Sequence, residues 1–233
     1  MLWLSKFSKI LDYIFPKECF VCKKEGEYFC SACFNKVEYI NNFDCYLCGR
    51  KDQINGICTD CASRSGIDQI IIATKYTGNF VGDLVESLKY NYVEDLAKII
   101  AKILTKQVKN KDLASIFQDQ ILVPIPLHKK RFAERGFNQA EKIANYLKEK
   151  YNCDLKTDLL LRKKYTAQQA KLNRKERLEN MQNAFAVNLA AVIPKHVILF
   201  DDVLTTGATM IQATKTFKKA GVEKVVCVAV CHG

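Results

Sequence analysis

Two adjacent carboxylates, Asp201 and Asp202, are followed three residues later by the small-residue run Thr205-Thr206-Gly207-Ala208-Thr209. Small side chains let backbone N–H groups close on a ligand, a glycine can take a left-handed backbone, and threonine hydroxyls add donors. Where such a loop opens a helix, the helix N-terminus favours an anion, so the run is suited to a phosphate. Carboxylates do not welcome a phosphate. They are acceptors suited to a vicinal diol or to water around Mg²⁺. A phosphate beside a diol describes a ribose 5-phosphate.

The second chemistry-bearing set is cysteine. Of eleven cysteines, eight fall before residue 62 as four CxxC pairs: Cys19 and Cys22, Cys30 and Cys33, Cys45 and Cys48, Cys58 and Cys61. Two thiolates two residues apart supply two corners of a tetrahedron, and two such knuckles complete Zn–S4. The short spacers favour sequential pairing into two sites, 19/22/30/33 and 45/48/58/61, although an interleaved pairing has the same ligand count. Zinc is the leading reading, with an iron–sulfur cluster or a redox dithiol as alternatives. All-cysteine sites leave no open coordination position, so the role is structural. A module of this size has little core of its own, and metal then supplies much of its folding energy.

The third set is basic. Lys129, Lys130, Arg131 and Arg135 outnumber Glu134 in the stretch 127–139, which follows the apolar run ending in Pro124-Ile125-Pro126. From Arg162 to Arg177 there are seven lysines and arginines against one acid, Glu176. Taken alone, each is also what a solvated basic surface looks like.

These groups need elements to hold them. Residues 197–200 read as a buried strand that stops at the aspartates, residues 210–219 as a helix with Gly221 past its end, and residues 225–230 as the next strand. Strand, loop, helix and strand make a βαβ unit, whose ligands sit at the carboxyl ends of the strands. Residues 121–125 read as another buried strand, 127–139 as the loop at its end, and 138–150 as a helix. A basic loop beside the first one is where a pyrophosphate would lie. Residues 70–76 read as a strand. Residues 80–109 read as helical, with a break near Tyr90-Asn91-Tyr92. Residues 162–185 carry few apolar side chains and read as exposed and mobile. Residues 63–66 form a polar joint, giving three parts: an amphipathic helix in 1–17, cysteine-rich ribbons in 18–65 and an α/β domain in 66–233. The N-terminal helix, with Trp3, Phe7 and Ile14 on one face, packs on the body or lies on a membrane surface.

Composition agrees with a globular chain. It has 233 residues, 48% apolar content, a net charge of +11 and a pI of about 9.1. That positive excess suits a polyanionic partner, nucleic acid or a phosphorylated small molecule. No run of about 18 apolar residues predicts a membrane span. Paired CxxC motifs without a preceding signal peptide point to a reducing cytoplasm.

The stretch 197–209, VILFDDVLTTGAT, resembles the 5-phosphoribosyl-1-pyrophosphate (PRPP) signature of type I phosphoribosyltransferases. The resemblance implies Asp201 and Asp202 on the ribose hydroxyls. It places Leu204, Thr205, Thr206, Gly207, Ala208 and Thr209 around the 5′-phosphate, and Mg²⁺ with PRPP. Three blocks occur in order behind the paired cysteines: VPIPLHKKRFAERGFNQAE, then Arg162, Thr166, Gln168, Leu172, Arg177, Asn180 and Phe185 at their spacing, then the PRPP stretch. Together they resemble the ComF competence family over essentially the full chain. That implies a mostly parallel, helix-flanked sheet of type I phosphoribosyltransferase kind behind a double zinc ribbon.

The family acts in bacterial DNA uptake. The resemblance implies single-stranded DNA, PRPP or a nucleotide phosphate, and the DNA-import helicase of the competence system as partners. It implies a cytoplasmic site, with peripheral contact to the inner membrane as a variant. Arg162, Lys163, Lys164, Tyr165, Gln168, Arg174 and Arg177 then serve a DNA-binding surface or a mobile loop closing over PRPP. The alternative is a true phosphoribosyltransferase, a pentosyl-transferring enzyme with an unidentified acceptor, for which Lys163, Lys164 and Tyr165 are the catalytic candidates.

Overall fold

The computed structural model describes residues 17–41, 44–51, 53–78, 80–90, 94–165, 176 and 180–233. The N-terminal helix expected over the first residues, the break at 91–92, and Gln168, Arg174 and Arg177 lie outside the described residues.

By packing, the chain divides into two compact units, Met1–Glu38 and Tyr39–Gly233. The division falls between the two cysteine groups, so the second group belongs to the larger unit. In the smaller unit, Cys19, Cys30 and Cys33 are buried. Glu18 and Glu25 form an antiparallel bridge, and the helix α1 (Ser31–Asn35) carries Cys33 inward. Phe20 stacks at a tilt on Tyr28, with ring centroids 5.9 Å apart.

The larger unit is built on one sheet. Its strands are β1 (Gln69–Lys75), β2 (Ile121–Pro124), β3 (Asp154–Leu155), β6 (His196–Leu204) and β7 (Lys224–His232). They lie in the order β1-β7-β6-β2-β3, every pair parallel. A short antiparallel pair, β4 (Leu160–Arg162) and β5 (Phe185–Val187), stands apart from that sheet. The helices are α2 (Thr59–Ser65), α3 (Val81–Tyr90), α4 (Glu94–Asn110), α5 (Lys129–Arg135), α6 (Gln139–Tyr151) and α7 (Ala208–Lys219).

The strand order sets the layers. The chain crosses from β2 to β3 toward one edge of the sheet and from β6 to β7 toward the other. Right-handed crossovers then put α6 and α7 on opposite faces. The alternation of strand side chains follows. Ile70, Ile72, Val123, Ile125, Val197, Leu199, Val225, Cys227 and Ala229 share a core with Phe217 and Ala213 of α7. The alternate residues Ile198, Phe200, Val226 and Val228 are buried too. They belong to the opposite face, where α4 and α6 pack together and against the sheet. Strands covered on both sides read as continuous apolar runs, which is why they stand out in the sequence.

Several local expectations change. The strand read over 197–200 does not stop at the aspartates. It runs on through Asp201 and Asp202 to Leu204, because the equally long β7 keeps pairing with it, Val203 with Cys231 and Leu204 with His232. The stretch after β2, read as a loop, contains the helix α5. His128 caps it by accepting the Lys130 N–H at 3.2 Å, and Gly136 closes it in a left-handed turn. The joint at 63–66 is the last turn of α2 with Gly66 as its left-handed cap. Of the stretch 162–185, expected to be exposed and mobile, Arg162 pairs with Phe185 across β4 and β5, and Met181, Ala184 and Phe185 are buried.

Candidate functional site

The topology opens a crevice between β2 and β6, where the chain leaves neighbouring parallel strands in opposite directions. Ligands of open α/β sheets sit in such a crevice, outside the carboxyl ends of the strands. β2 ends at Pro124, paired with Phe200, and the Ile125 N–H bonds the Phe200 carbonyl at 2.8 Å. β6 projects four residues further and carries both aspartates past that edge.

Asp201 and Asp202, both expected on the ribose hydroxyls, leave β6 in different directions. Adjacent strand residues point to opposite faces. Asp202 turns to the face of α3 and α6. Its carboxylate meets Lys89 Nζ at 2.9 Å and accepts from Gln139 Nε2 at 3.4 Å. Burial works against its charge, but the Lys89 ammonium outweighs it and holds the carboxyl at about 2. Lys89 is pushed the other way: burial would discharge it, and Asp202 keeps it charged. Glu86 stands 3.9 Å from Lys89 and accepts from the Tyr76 hydroxyl.

Asp201 accepts from the Asp202 backbone N–H at 2.9 Å. Burial, then the charge of Asp202, pushes its pKa well above the usual carboxylate range. Arg162 feels Asp201 as a favourable charge, while burial and the nearby Arg131 disfavour its own.

Next comes the small-residue loop that leads into α7. Gly207 sits at φ 77°, left-handed, as the N-cap of α7. Thr205 is exposed and Thr206 and Thr209 are half-buried, while Gly207 and Ala208 are buried. The Thr206 hydroxyl accepts from the Ala208 N–H at 3.4 Å. The first-turn N–H groups of any helix have no intrahelical acceptor, so α7 offers donors where the loop ends.

A basic, aromatic rim stands on the residues after β2 and β4. Lys129 and Lys130 are exposed and Arg131 and Arg135 half-buried on α5. Tyr165 is exposed. Its ring lies 5.2 Å from that of His128 and 5.2 Å from Lys130 Nζ. Lys163 and Lys164 are exposed, and their backbone N–H groups both bond the Ala184 carbonyl. Arg162 packs over the Phe185 ring at 5.6 Å, and Arg135 over Tyr90 at 5.6 Å while donating to Gln139.

The eight cysteines gather sequentially, as Cys19, Cys22, Cys30 and Cys33 and as Cys45, Cys48, Cys58 and Cys61. Within each group the sulfurs lie within 4.8 Å of one another. The Cys22–Cys30 and Cys48–Cys58 sulfurs are 3.6 Å apart. Sulfurs at the corners of a Zn–S4 tetrahedron stand about 3.8 Å apart, so both groups fit zinc. One thiol in each is poised to ionise. Burial opposes this, but backbone N–H groups of neighbouring residues bring Cys19 to about 6 and Cys45 to about 7. Such donors are the usual outer support of a thiolate metal site.

Sequence reasoning missed Lys89, Gln139 and His128. Gln139 and His128 lie inside the basic block, whose charges are its dominant sequence signal. Lys89 had one signal: it borders Val85 and Leu88 on the buried face of α3.

The class of protein follows from this arrangement. A parallel α/β sheet with a diacidic strand feeding a phosphate-suited loop, joined to two four-cysteine groups, is a phosphoribosyltransferase domain coupled to a double zinc ribbon. The corresponding family models, Phosphoribosyl transferase domain and Double zinc ribbon domain, match at residues 93–233 and 10–62. Competence protein ComFC of Streptococcus pneumoniae is 30% identical over 198 residues, covering 84% of each chain. ComFC of Bacillus subtilis is 30% identical over 203 residues, 85% of this chain and 81% of its own. DNA utilization protein YhgH of Escherichia coli is 25% identical over 224 residues, 93% and 97% of the two chains. The chain belongs to the ComF competence family.

Proposed function

We propose that this protein handles incoming single-stranded DNA in the cytoplasm and holds a phosphoribosyl group, PRPP with Mg²⁺ or a nucleotide 5′-phosphate, in the crevice between β2 and β6. The 5′-phosphate lies on Thr205, Thr206, Gly207, Ala208 and Thr209, and the ribose hydroxyls on Asp201. Asp202, tied to Lys89 and Gln139, stiffens the strand end from the other face. Lys129, Lys130 and Arg131 are suited to pyrophosphate or to the next phosphates of a strand.

The observation that carries the DNA reading is Tyr165, an exposed ring 5.2 Å from both the His128 ring and Lys130 Nζ, directly after the exposed Lys163 and Lys164 in the chain. Cations that follow a phosphate backbone and aromatic faces that stack bases are what single-strand binding requires. Fluorescence anisotropy with a labelled oligothymidylate tests it. Affinity falls steeply with salt and drops when Lys130, Lys163 and Lys164 are changed to Ala together. Affinity indifferent to salt and to that triple change overturns the assignment.

The enzyme alternative, displacement of pyrophosphate from PRPP, is favoured by Arg162, a half-buried cation that feels the charge of Asp201 at the ribose end of the crevice. Pyrophosphate release from PRPP with a panel of bases decides between transfer and binding alone.

A further inference from the structure

The second cysteine group does more than staple its own ribbon. The two residues inside its first knuckle, Tyr46 and Leu47 between Cys45 and Cys48, reach the phosphate loop. Gly207 has no side chain, and the space a Cβ would take is filled by Leu47, whose Cδ2 lies 2.3 Å from that position. Leu47 is 5% exposed and shares the core that holds Ala208 and Met210 of α7.

Tyr46 supports the strand end beneath the loop. Its carbonyl accepts from His232 Nε2 at 3.1 Å, and the two rings are 5.4 Å apart. His232 is the β7 partner of Leu204, the last residue before the loop. The Gly233 N–H closes the same corner on the Leu204 carbonyl at 3.0 Å.

The knuckle's shape depends on its sulfurs. The knuckle is a closed turn, in which the Gly49 N–H bonds the Cys45 carbonyl at 2.7 Å and the Cys45 N–H bonds the Arg50 carbonyl at 2.8 Å. A metal held by the Cys45 and Cys48 sulfurs would fix the backbone between them, and with it the Leu47 side chain that occupies the place of a Gly207 Cβ. Leu47 and Tyr46 touch the loop and its supporting strand, not the ligand, so they act as positioning residues.

We propose that the metal bound by Cys45, Cys48, Cys58 and Cys61 shapes the phosphate loop at residues 205–209 through Leu47 and Tyr46, and that phosphate binding there depends on this second ribbon. Every contact in the chain of effects lies within residues 45–233. The proposal rests on the phosphoribosyl reading of that loop.

The test uses the full chain loaded with zinc and reads two quantities. Hydrogen exchange of peptides spanning 203–211 reports the loop alone, and isothermal titration with PRPP and Mg²⁺ reports binding. Leu47→Ala retains two zincs per chain, speeds exchange of that segment severalfold, and weakens PRPP binding about tenfold, the scale of one lost packing interaction. Cys48→Ser acts in the same direction more strongly, and Cys22→Ser, in the first group, does neither. Exchange and affinity unchanged in Leu47→Ala overturn the proposal. Faster exchange in a protein whose wild type binds no PRPP upholds the coupling and overturns the phosphoribosyl reading instead.

Discussion

The two cysteine groups have the same ligands and nearly the same spacing, yet they occupy different physical settings. The first lies in a unit of its own, 1–38, where its neighbours are short-range: Phe20 on Tyr28, and α1 carrying Cys33. The second lies in the core of the larger unit. Cys45, Cys58 and Cys61 are buried with Leu47 and Ile57 among the side chains of β1, β6, β7 and α7. Two more contacts tie this region to the sheet: the Ile70 N–H bonds the Asn55 carbonyl at 2.9 Å, and the Ile40 N–H bonds the Ala73 carbonyl at 3.0 Å. A four-thiolate site can thus be central to the core of one small module, beside Phe29 and Val37, and a corner of another's. The coordination chemistry does not decide which; the residues between the cysteines do.

The sharpest way to break that comparison is to remove each metal in turn. Cys58→Ser with Cys61→Ser destabilises the larger unit by at least about 3 kcal/mol, roughly 6–12 °C for a unit of this size, because structural zinc supplies folding energy. Cys30→Ser with Cys33→Ser leaves that calorimetric transition within about 1 °C. Equal shifts from the two pairs contradict the distinction.

Lys89 anchors the same strand end from the opposite face. Lys89→Met leaves Asp202 buried without its counter-ion and costs about 3–5 kcal/mol in urea unfolding, most of which Asp202→Asn restores in the double variant. The pair also has a pH signature. Its stabilisation is complete above the unfolded carboxyl pKa of about 3.9. It is lost as pH falls toward the folded value of about 2. Acid unfolding of Asp202→Asn with Lys89→Met lacks that part of the pH dependence.

Gly207→Ala places a Cβ against Leu47 in a left-handed backbone and costs about 2–4 kcal/mol, strain and overpacking together. Adding Leu47→Ala recovers the overpacking share and not the backbone share. Full additivity of the two changes would separate the knuckle from the loop.

Tyr165→Ala is the smallest change. It leaves stability within about 0.5 kcal/mol, as an exposed position should. It weakens oligothymidylate binding by about 1–3 kcal/mol, the scale of one stacked base.

Much of this was legible in the sequence because it is local. The CxxC spacing announces the metal groups, and the continuous apolar runs announce buried parallel strands. The Asp201-Asp202 pair with its small-residue run announces a strand end and a loop suited to phosphate at the head of α7. What was not legible depends on distant partners. That β6 continues through its aspartates follows from the length of β7. That Asp202 belongs to Lys89 follows from strand alternation combined with where α3 packs. That Leu47 fills the place of a Gly207 side chain joins residues 160 positions apart, and no local pattern marks it. Helix α5 carries little sequence signal, because a cluster of charges after a histidine cap has the composition of a loop, and the bond from the Gly136 N–H to the Phe132 carbonyl closes it as a helix.

The claim at the centre is that the crevice beside Asp201 holds a phosphoribosyl group. Isothermal titration of the zinc-loaded full chain with PRPP and Mg²⁺ tests it most directly, with Asp201→Asn and Thr206→Val measured beside the wild type. The account predicts saturable one-to-one binding that Asp201→Asn and Thr206→Val each weaken at least about tenfold. Wild-type binding that both variants retain unchanged would contradict it.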